Sequence, residues 1–180
     1  ALNKHAGFRF RWLRESAMAI RLAHPSIVPV CDYGMLDNGS LFMAMAIAEK
    51  GSLSDVWSGG VCLEDALAHL FSVLNGLSYI HAHGIVHMDI KPDNVLVSDV
   101  AWISDFSVAR TISEVMVNPK EVSGYPGWMA PEQITRSARD IGPWTDIYAW
   151  GLMLERLLQG SENRCVFEPL ITACLRPDPK

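Results

Sequence analysis

The chain has 180 residues, of which 49% are hydrophobic and 19% charged, and its formal net charge is −5. This is the composition of a folded domain and excludes a disordered or fibrous chain. The acidic balance argues against nucleic acid or an anionic membrane surface as a partner. The longest apolar run, around residues 42–48, is too short to span a bilayer.

The cysteines give no sign of a metal site or a disulfide framework. There are four of them, Cys31, Cys62, Cys165 and Cys174. No two have the close spacing of a metal-binding pair, and no signal peptide is visible, so we predict reduced, mostly buried thiols in a cytoplasmic protein. A disulfide role is the alternative, and a membrane anchor outside this sequence stays open.

The first quarter of the sequence predicts one helix followed by a β-hairpin. Apolar residues recur at helical spacing over residues 8–23, and a His-Pro pair ends that helix. Residues 27–33 are rich in β-branched and apolar side chains and predict a strand. The sequence Asp37-Asn38-Gly39 is a turn signal, and residues 41–48 predict the returning strand.

The remainder is predicted to be mainly helical. Ser52 or Ser54 is expected to cap a short helix, and the longest helix is predicted over residues 63–83, ending at Gly84. Two short strands are predicted at residues 95–97 and 101–104, and further helices at 145–158 and 168–175. Residues 105–142 show no sustained periodicity, which in a folded domain is typical of a functional segment. This order predicts an α+β fold.

The most informative stretch is the run from His87 to Asn94. Asp89 is a candidate general base for a hydroxyl, Lys91 a candidate contact for a transferring phosphoryl group, and Asn94 a candidate metal ligand. The alternative interpretation is a polar turn between strands, where Pro, Asp and Asn are common.

A second acidic residue, Asp105, lies eleven residues after Asn94, at the end of a predicted strand. A carboxylate there suits Mg²⁺, which prefers one or two carboxylates together with phosphate oxygens. The alternative role of Asp105 is the cap of a helix or a turn.

Together these motifs resemble the catalytic domain of eukaryotic-like serine/threonine protein kinases. The run around Asp89 is similar to the His-Arg-Asp catalytic loop, and Asp105-Phe106-Ser107 is similar to Asp-Phe-Gly. The sequence Ala130-Pro131-Glu132 matches Ala-Pro-Glu. Asp146, in the predicted helix 145–158, resembles the buried aspartate that holds the catalytic-loop backbone in that family.

The resemblance implies a fold, a reaction and a set of site residues. It implies a kinase-like fold with a reduced N-terminal lobe at residues 1–48 and a mainly helical C-terminal lobe at 49–180. It implies ATP and Mg²⁺ as cofactors and a protein as substrate. By role, the implied residues are Asp89 and Lys91 for catalysis, Asn94 and Asp105 for the metal, and Glu15, Met45, Ala46, Ala48 and Leu96 for the nucleotide.

Some family features are missing from the sequence. No G-x-G-x-x-G precedes Glu15, and the only lysine before it, Lys4, does not lie in a strand-like context. We therefore expect the sequence to begin just after the strand that carries the family's lysine, and its other end also to be cut short.

Three substitutions bear on regulation and the substrate loop. Met88 replaces the family's arginine, Ser107 replaces the glycine, and Tyr125 stands where serine/threonine kinases usually have threonine. Because methionine cannot bind a phosphate as arginine does, we predict that activity does not depend strongly on phosphorylation. The residues concerned are Thr111, Ser113 and Ser123.

The sequence therefore predicts a serine/threonine protein kinase that transfers the γ-phosphoryl group of ATP to a protein hydroxyl. The alternative is a pseudokinase or kinase-derived binding scaffold without phosphotransfer, which the missing lysine strand and the three substitutions favour. A small-molecule phosphotransferase is a third possibility, but Lys91 argues against it.

Overall fold

The computed structural model describes Trp12 and residues 16–117, 124–135 and 140–177. Of the predicted first helix, Trp12 and residues 16–19 are helical, and Glu15 lies outside the described residues. Strands β1 (Val30–Met35) and β2 (Leu41–Met45) form an antiparallel hairpin. Gly39 has φ +83° in its turn, a conformation that glycine adopts without strain. The hairpin is confirmed, but β2 ends three residues before the predicted limit.

Two helices follow the hairpin, and each is capped as its sequence suggests. Helix α1 (Leu53–Ser58) starts at Ser52, whose hydroxyl accepts from the Asp55 amide at 3.2 Å, while the Asp55 carboxylate accepts from the Ser52 amide at 2.9 Å. The Ser52 hydroxyl also donates to the Asp55 carboxylate at 2.6 Å. This bond and the bond from the Ser52 amide hold the pKa of Asp55 below its usual value. Helix α2 (Leu63–Ala82) is the longest, and Gly84 follows it with φ +70°. The predicted helix is thus confirmed to within one residue.

Two small antiparallel sheets frame the run that contains Asp89. Strand β3 (Ile85–Val86) pairs with β6 (Arg110–Thr111), and β4 (Val95–Val97) pairs with β5 (Ala101–Ile103). A short 3₁₀ turn at Pro92–Asn94 leads into β4. The run therefore begins at β3 and ends at β4, so both of its ends are fixed by strand pairing.

The segment 105–142 contains more regular structure than the sequence predicts. It includes β6, helix α3 (Ile112–Val117) and helix α4 (Pro131–Ile134). At the start of α3 the Glu114 carboxylate accepts from the amide and the hydroxyl of Thr111, at 2.8 and 2.9 Å. Elements of two to six residues are too short to show a sequence period, which is why the prediction missed them.

The last two helices are α5 (Pro143–Leu157) and α6 (Arg164–Cys174). Helix α5 was predicted two residues late. Helix α6 begins four residues before the predicted start, so that prediction was wrong. The cause is Pro169, which lies inside α6: the sequence indicates a helix start near a proline, because proline is favoured in a first turn.

One hydrophobic core joins α2, α5 and the β4–β5 sheet. Leu70, Leu77, Ile103 and Met153 are fully buried in it. The indole nitrogen of Trp150 donates to the Leu70 carbonyl at 2.7 Å, which fixes α5 against α2. Small sheets packed on a larger helical body confirm the predicted α+β class.

The predicted burial of the cysteines is wrong. All four are free, but Cys31, Cys62 and Cys165 are exposed, and only Cys174 is half-buried. Burial raises the pKa of the Cys174 thiol. Cys62 is exposed because it occupies the cap of α2, where its sulfur accepts from the Asp65 amide at 3.5 Å. None of the helices in the described ranges is long and apolar enough to cross a membrane.

Candidate active site

Asp89, Lys91 and Asn94 form one hydrogen-bonded cluster. The Lys91 ammonium lies 2.7 Å from Asp89 Oδ2, and Asn94 Nδ2 donates to the same oxygen at 2.8 Å and to the Asp89 carbonyl at 2.8 Å. The side chains of Lys91 and Asp89 are only 15% and 13% exposed. The structure thus brings together the three residues that the sequence singled out, around a single carboxylate.

The second oxygen of the Asp89 carboxylate faces the loop that precedes Ala130. Asp89 Oδ1 accepts from the backbone N–H of Tyr125 at 3.0 Å. A carboxylate has about four lone-pair positions on its two oxygens, and Oδ2 already accepts two donors. Oδ1 is therefore the oxygen with room for a further donor such as a substrate hydroxyl.

A buried carboxylate from α5 holds the backbone of the run in place. Asp146 is 1% exposed. It accepts from the His87 amide at 2.9 Å and from the Met88 amide at 2.8 Å, and His81 Nε2 lies 2.8 Å from its Oδ2. Met88 has φ +66°, a strained conformation for a side chain of that size. The role that the resemblance implies for Asp146 is confirmed by these contacts.

The two candidate metal ligands are linked through Ser104. The amide and the hydroxyl of Ser104 both donate to the Asn94 carbonyl, each at 2.9 Å. Asp105 follows directly, with φ +59° and an exposed side chain. Its carboxylate also accepts from the Ser107 amide at 3.2 Å, so the turn-capping alternative is present as well.

Phe106 fixes the orientation of this segment. Its ring is 2% exposed and packs edge-on against His87, with ring centroids 5.0 Å apart. His87 Nε2 in turn lies 3.0 Å from the Ser104 carbonyl. Phe106 thus belongs to the core, whereas the neighbouring Asp105 is exposed.

The donor set fits a magnesium ion that also binds phosphate. Across the described ranges, no three His, Cys, Asp or Glu side chains cluster as a self-sufficient metal site. Asp105 carries a carboxylate and Asn94 an amide oxygen, and where Mg²⁺ binds such a partial set it normally adds phosphate oxygens and water.

A cavity of about 230 Å³ lies between the β1–β2 hairpin and the segment at Asp105. Val30, Met43 and Met45 line its apolar side, and Ser104 and Asp105 its polar side. The structure therefore places one of the predicted nucleotide residues and one of the predicted metal ligands around the same space.

Of the other predicted nucleotide residues, Ala46 and Ala48 follow β2, and Leu96 lies in β4. The Ala46 amide donates to the Pro29 carbonyl at 2.9 Å, and the Ala48 carbonyl accepts from the Gly51 amide at 3.2 Å. Leu96 is half-buried in β4, and its neighbour Val97 donates to the Gly51 carbonyl at 2.9 Å. Leu96 itself forms a β-bridge with Ser52, so strand β4 lies beside residues 50–52. Glu15 and Lys4 lie outside the described residues.

Met88 occupies an apolar cluster instead of an anion-binding position. It is 3% exposed and packs with Val86, Val115 and Ile141, which are also buried. Val115 belongs to α3, so the side chain at position 88 contacts the segment that follows Asp105. None of the side chains in this cluster has a hydrogen-bond donor with which to bind a phosphate.

Two residues with a role in the site were not singled out from the sequence. Gln133 is 2% exposed; its Nε2 donates to the Met88 carbonyl at 2.8 Å and its Oε1 accepts from the Ala130 amide at 3.1 Å. Thr145 donates to the Glu132 carboxylate at 2.7 Å. The bond from Gln133 to Met88 spans 45 positions and the bond from Thr145 to Glu132 spans 13, so no local pattern marks these two residues.

The sequence comparisons agree with this geometry. The family model described as "protein kinase domain" matches residues 3–166. The chain is similar to serine/threonine-protein kinase SMU1 of Mycosarcoma maydis, with 38% identity over 141 residues, or 76% of this chain and 18% of that protein. It is 35% identical over 151 residues to serine/threonine-protein kinase MST20 of Pyricularia oryzae, covering 82% of this chain and 16% of the relative.

A bacterial relative covers more of the chain. Serine/threonine-protein kinase PknD of Mycobacterium tuberculosis is 35% identical over 164 residues, or 88% of this chain and 24% of that protein. The chain thus spans less than a quarter of the length of each of these three curated relatives.

Proposed function

The chain belongs to the protein kinase domain family, and on this premise we propose that it takes part in transferring the γ-phosphoryl group of ATP to a serine or threonine hydroxyl of a protein substrate. The observation that carries the proposal is the Asp89–Lys91–Asn94 cluster, in which a lysine and an asparagine both contact the carboxylate of the candidate base. The serine/threonine class is supported by Lys91 and by the relatives.

Asp89 is proposed as the base that orients the acceptor. Its Oδ2 is held by Lys91 and Asn94, which restrains rotation of the carboxylate, and its Oδ1 accepts from the Tyr125 amide. A substrate hydroxyl would donate to Oδ1 and pass its proton there as its oxygen attacks the γ-phosphorus of ATP. The bond from that phosphorus to the bridging β-phosphate oxygen would break, and ADP would leave.

Lys91 is proposed to stabilise the phosphoryl group during transfer. Lysine carries three N–H donors, and Asp89 Oδ2 uses one of them. A donor aimed at a phosphoryl oxygen acts as a fixed positive charge where negative charge is spread over the equatorial oxygens.

The family uses ATP and Mg²⁺ in general. We propose that Asn94 and Asp105 hold Mg²⁺, which when bound neutralises charge on the β- and γ-phosphate oxygens. We also propose that Met45, Ala46, Ala48 and Leu96 bind the adenine. Met45 supports this because it lines the cavity that also borders Asp105, while Ala46, Ala48 and Leu96 are included through the family resemblance. The division into lobes at residues 48 and 49 and the role of Glu15 stay predictions.

The proposal is tested with the full-length protein that carries this chain, assayed for ³²P transfer from ATP–Mg²⁺ to a protein substrate. Asp89→Asn removes the base and keeps the shape, and we expect it to lower kcat by about 10²–10⁴-fold. Asp93→Asn is the matched control, because Asp93 is an exposed carboxylate in the same loop. The kcat of this variant should stay within twofold of wild type.

Equal activity of wild type and Asp89→Asn would contradict the proposal. A folded wild-type protein with no transfer at all would instead favour the alternative of a kinase-derived binding scaffold. The four free cysteines support, as part of the same proposal, a reducing compartment such as the cytoplasm.

A further inference from the structure

Lys91 lies between a carboxylate and an aromatic ring. On one side Asp89 Oδ2 is 2.7 Å from its ammonium, and on another the centroid of the Tyr125 ring is 4.9 Å away. The Lys91 side chain is only 15% exposed, whereas Tyr125 is 57% exposed. An ammonium within about 6 Å of a ring centroid and over its face is attracted by the π electrons.

Tyr125 therefore contacts both members of the Asp89–Lys91 pair, each through a different part of the residue. Its backbone N–H donates to Asp89 Oδ1 at 3.0 Å, and its ring faces Lys91. The main-chain contact is available to any residue except proline. The ring contact requires an aromatic side chain, and a threonine at this position would offer a hydroxyl instead.

The loop that carries Tyr125 is fixed from α5. Arg156 donates through Nη2 to the Gly127 carbonyl at 2.6 Å, and its guanidinium lies 3.8 Å from the centroid of the Trp128 ring. Gly127 has φ +95°, which lets the chain turn between these two contacts. The position of Tyr125 is thus determined by a helix of the core.

We propose that Tyr125 is a positioning residue for Lys91: its ring holds the ammonium beside Asp89 in the place from which it reaches the transferring phosphoryl group. This inference rests on the proposed function and specifies how the site works in this chain. Of the three N–H donors of the ammonium, one is used by Asp89, so further donors remain for a phosphoryl oxygen.

The kinetic test compares two variants of the full-length protein. Tyr125→Leu keeps the backbone N–H and much of the bulk but removes the π face, whereas Tyr125→Phe keeps the face and removes only the hydroxyl. We expect Tyr125→Leu to lower kcat about two- to fivefold, with the KM for ATP unchanged within twofold. Tyr125→Phe should keep the wild-type kcat.

A second measurement needs no phosphotransfer. In the ¹H–¹³C spectrum, the ε-methylene signal of Lys91, assigned with Lys91→Arg, should be shifted upfield by the ring in wild type and Tyr125→Phe. It should return to the position of an ordinary lysine in Tyr125→Leu. The ring contact can therefore be tested even if the chain transfers no phosphate.

Two results would overturn the inference. One is a Lys91 signal in Tyr125→Leu identical to that in wild type, since the ring would then not face the ammonium. The other is a loss of kcat in Tyr125→Phe as large as in Tyr125→Leu, since the phenol hydroxyl would then carry the effect. Absence of activity with the expected spectra would contradict the proposed function alone.

Discussion

At the scale of single residues, the geometry of the site depends most on Asp146. Its buried carboxylate accepts from two successive backbone amides, at His87 and Met88, and from His81. Removing it leaves these donors inside the protein without the acceptor that they share. The residue is remote from any substrate position, so its effect on function acts through the position of Asp89.

We predict that Asp146→Ala lowers the free energy of unfolding by about 3 kcal/mol or more, because each buried donor left unpaired costs about 1–3 kcal/mol. Urea denaturation followed by circular dichroism measures this. Asp99→Ala is the matched control, since Asp99 is an exposed acid in the turn between β4 and β5, and a change within about 0.5 kcal/mol is expected there. Equal stability of the two variants would refute the role given to Asp146.

At the scale of elements, α3 is held against the catalytic run by apolar contact. Val115 of α3 packs with Met88 and Ile141, and the Thr111–Glu114 hydrogen bonds close the start of the helix. Neither the apolar packing of Val115 nor the Thr111–Glu114 hydrogen bonds require a phosphorylated residue. An arginine at position 88 would provide an anion-binding fork, but methionine provides only apolar surface.

We therefore predict that phosphatase treatment of the full-length protein leaves kcat within twofold of its starting value. Mass spectrometry before and after treatment is the control that any phosphate on Thr111, Ser113 or Ser123 has been removed. Phosphatase treatment is a cleaner test than alanine substitution, because the Thr111 hydroxyl also donates to Glu114. A large loss of activity that returns on rephosphorylation would contradict the prediction.

How well an element could be predicted depended on how local its stabilising interactions are. Helix α2 was predicted closely because it has a long apolar stripe and ends at Gly84. Strand β6 has two residues and exists only through its pairing with β3, so nothing local indicates it. Helix α6 was misplaced because its proline lies beyond the first turn.

The same distinction holds for the site. Asp89, Lys91 and Asn94 lie within six residues, so their motif predicts their proximity. The Tyr125 amide reaches Asp89 from 36 positions away, and Gln133 reaches the Met88 carbonyl from 45. Such contacts are set by tertiary packing and could be inferred only through family resemblance, if at all. The roles of Met45, Ala46, Ala48 and Leu96 stay predictions.

At the scale of the whole molecule, α5 is the element on which the other parts are assembled. Its Asp146 accepts from the backbone of the run 87–94, and its Trp150 donates to α2. Its Arg156 donates to the Gly127 carbonyl in the loop that carries Tyr125. On a further side it meets α6, where Gly151 allows close approach. A Cβ at Gly151 would lie 2.5 Å from Cys174 Cβ and 3.2 Å from Leu175.

We predict that Gly151→Ala destabilises the protein by about 1–3 kcal/mol through overpacking between α5 and α6. Gly59→Ala is the control: Gly59 has φ −75°, and a Cβ there would make only ordinary contacts at 3.5 and 3.6 Å. Thermal unfolding of both variants checks the prediction. Equal unfolding midpoints for Gly151→Ala and Gly59→Ala would show that α6 moves away from α5 with no loss of stability.

The backbone at Met88 and Asp105, with φ +66° and +59°, has a consequence for protein engineering. A left-handed conformation costs a non-glycine residue on the order of 1–3 kcal/mol. Because Met88 lies inside the run 87–94, the run would not take this shape by itself. The eight residues 87–94 therefore cannot be transferred alone to another protein. A scaffold that received only them would carry the reactive groups without their alignment. A successful graft would also have to bring a buried acid in the place of Asp146.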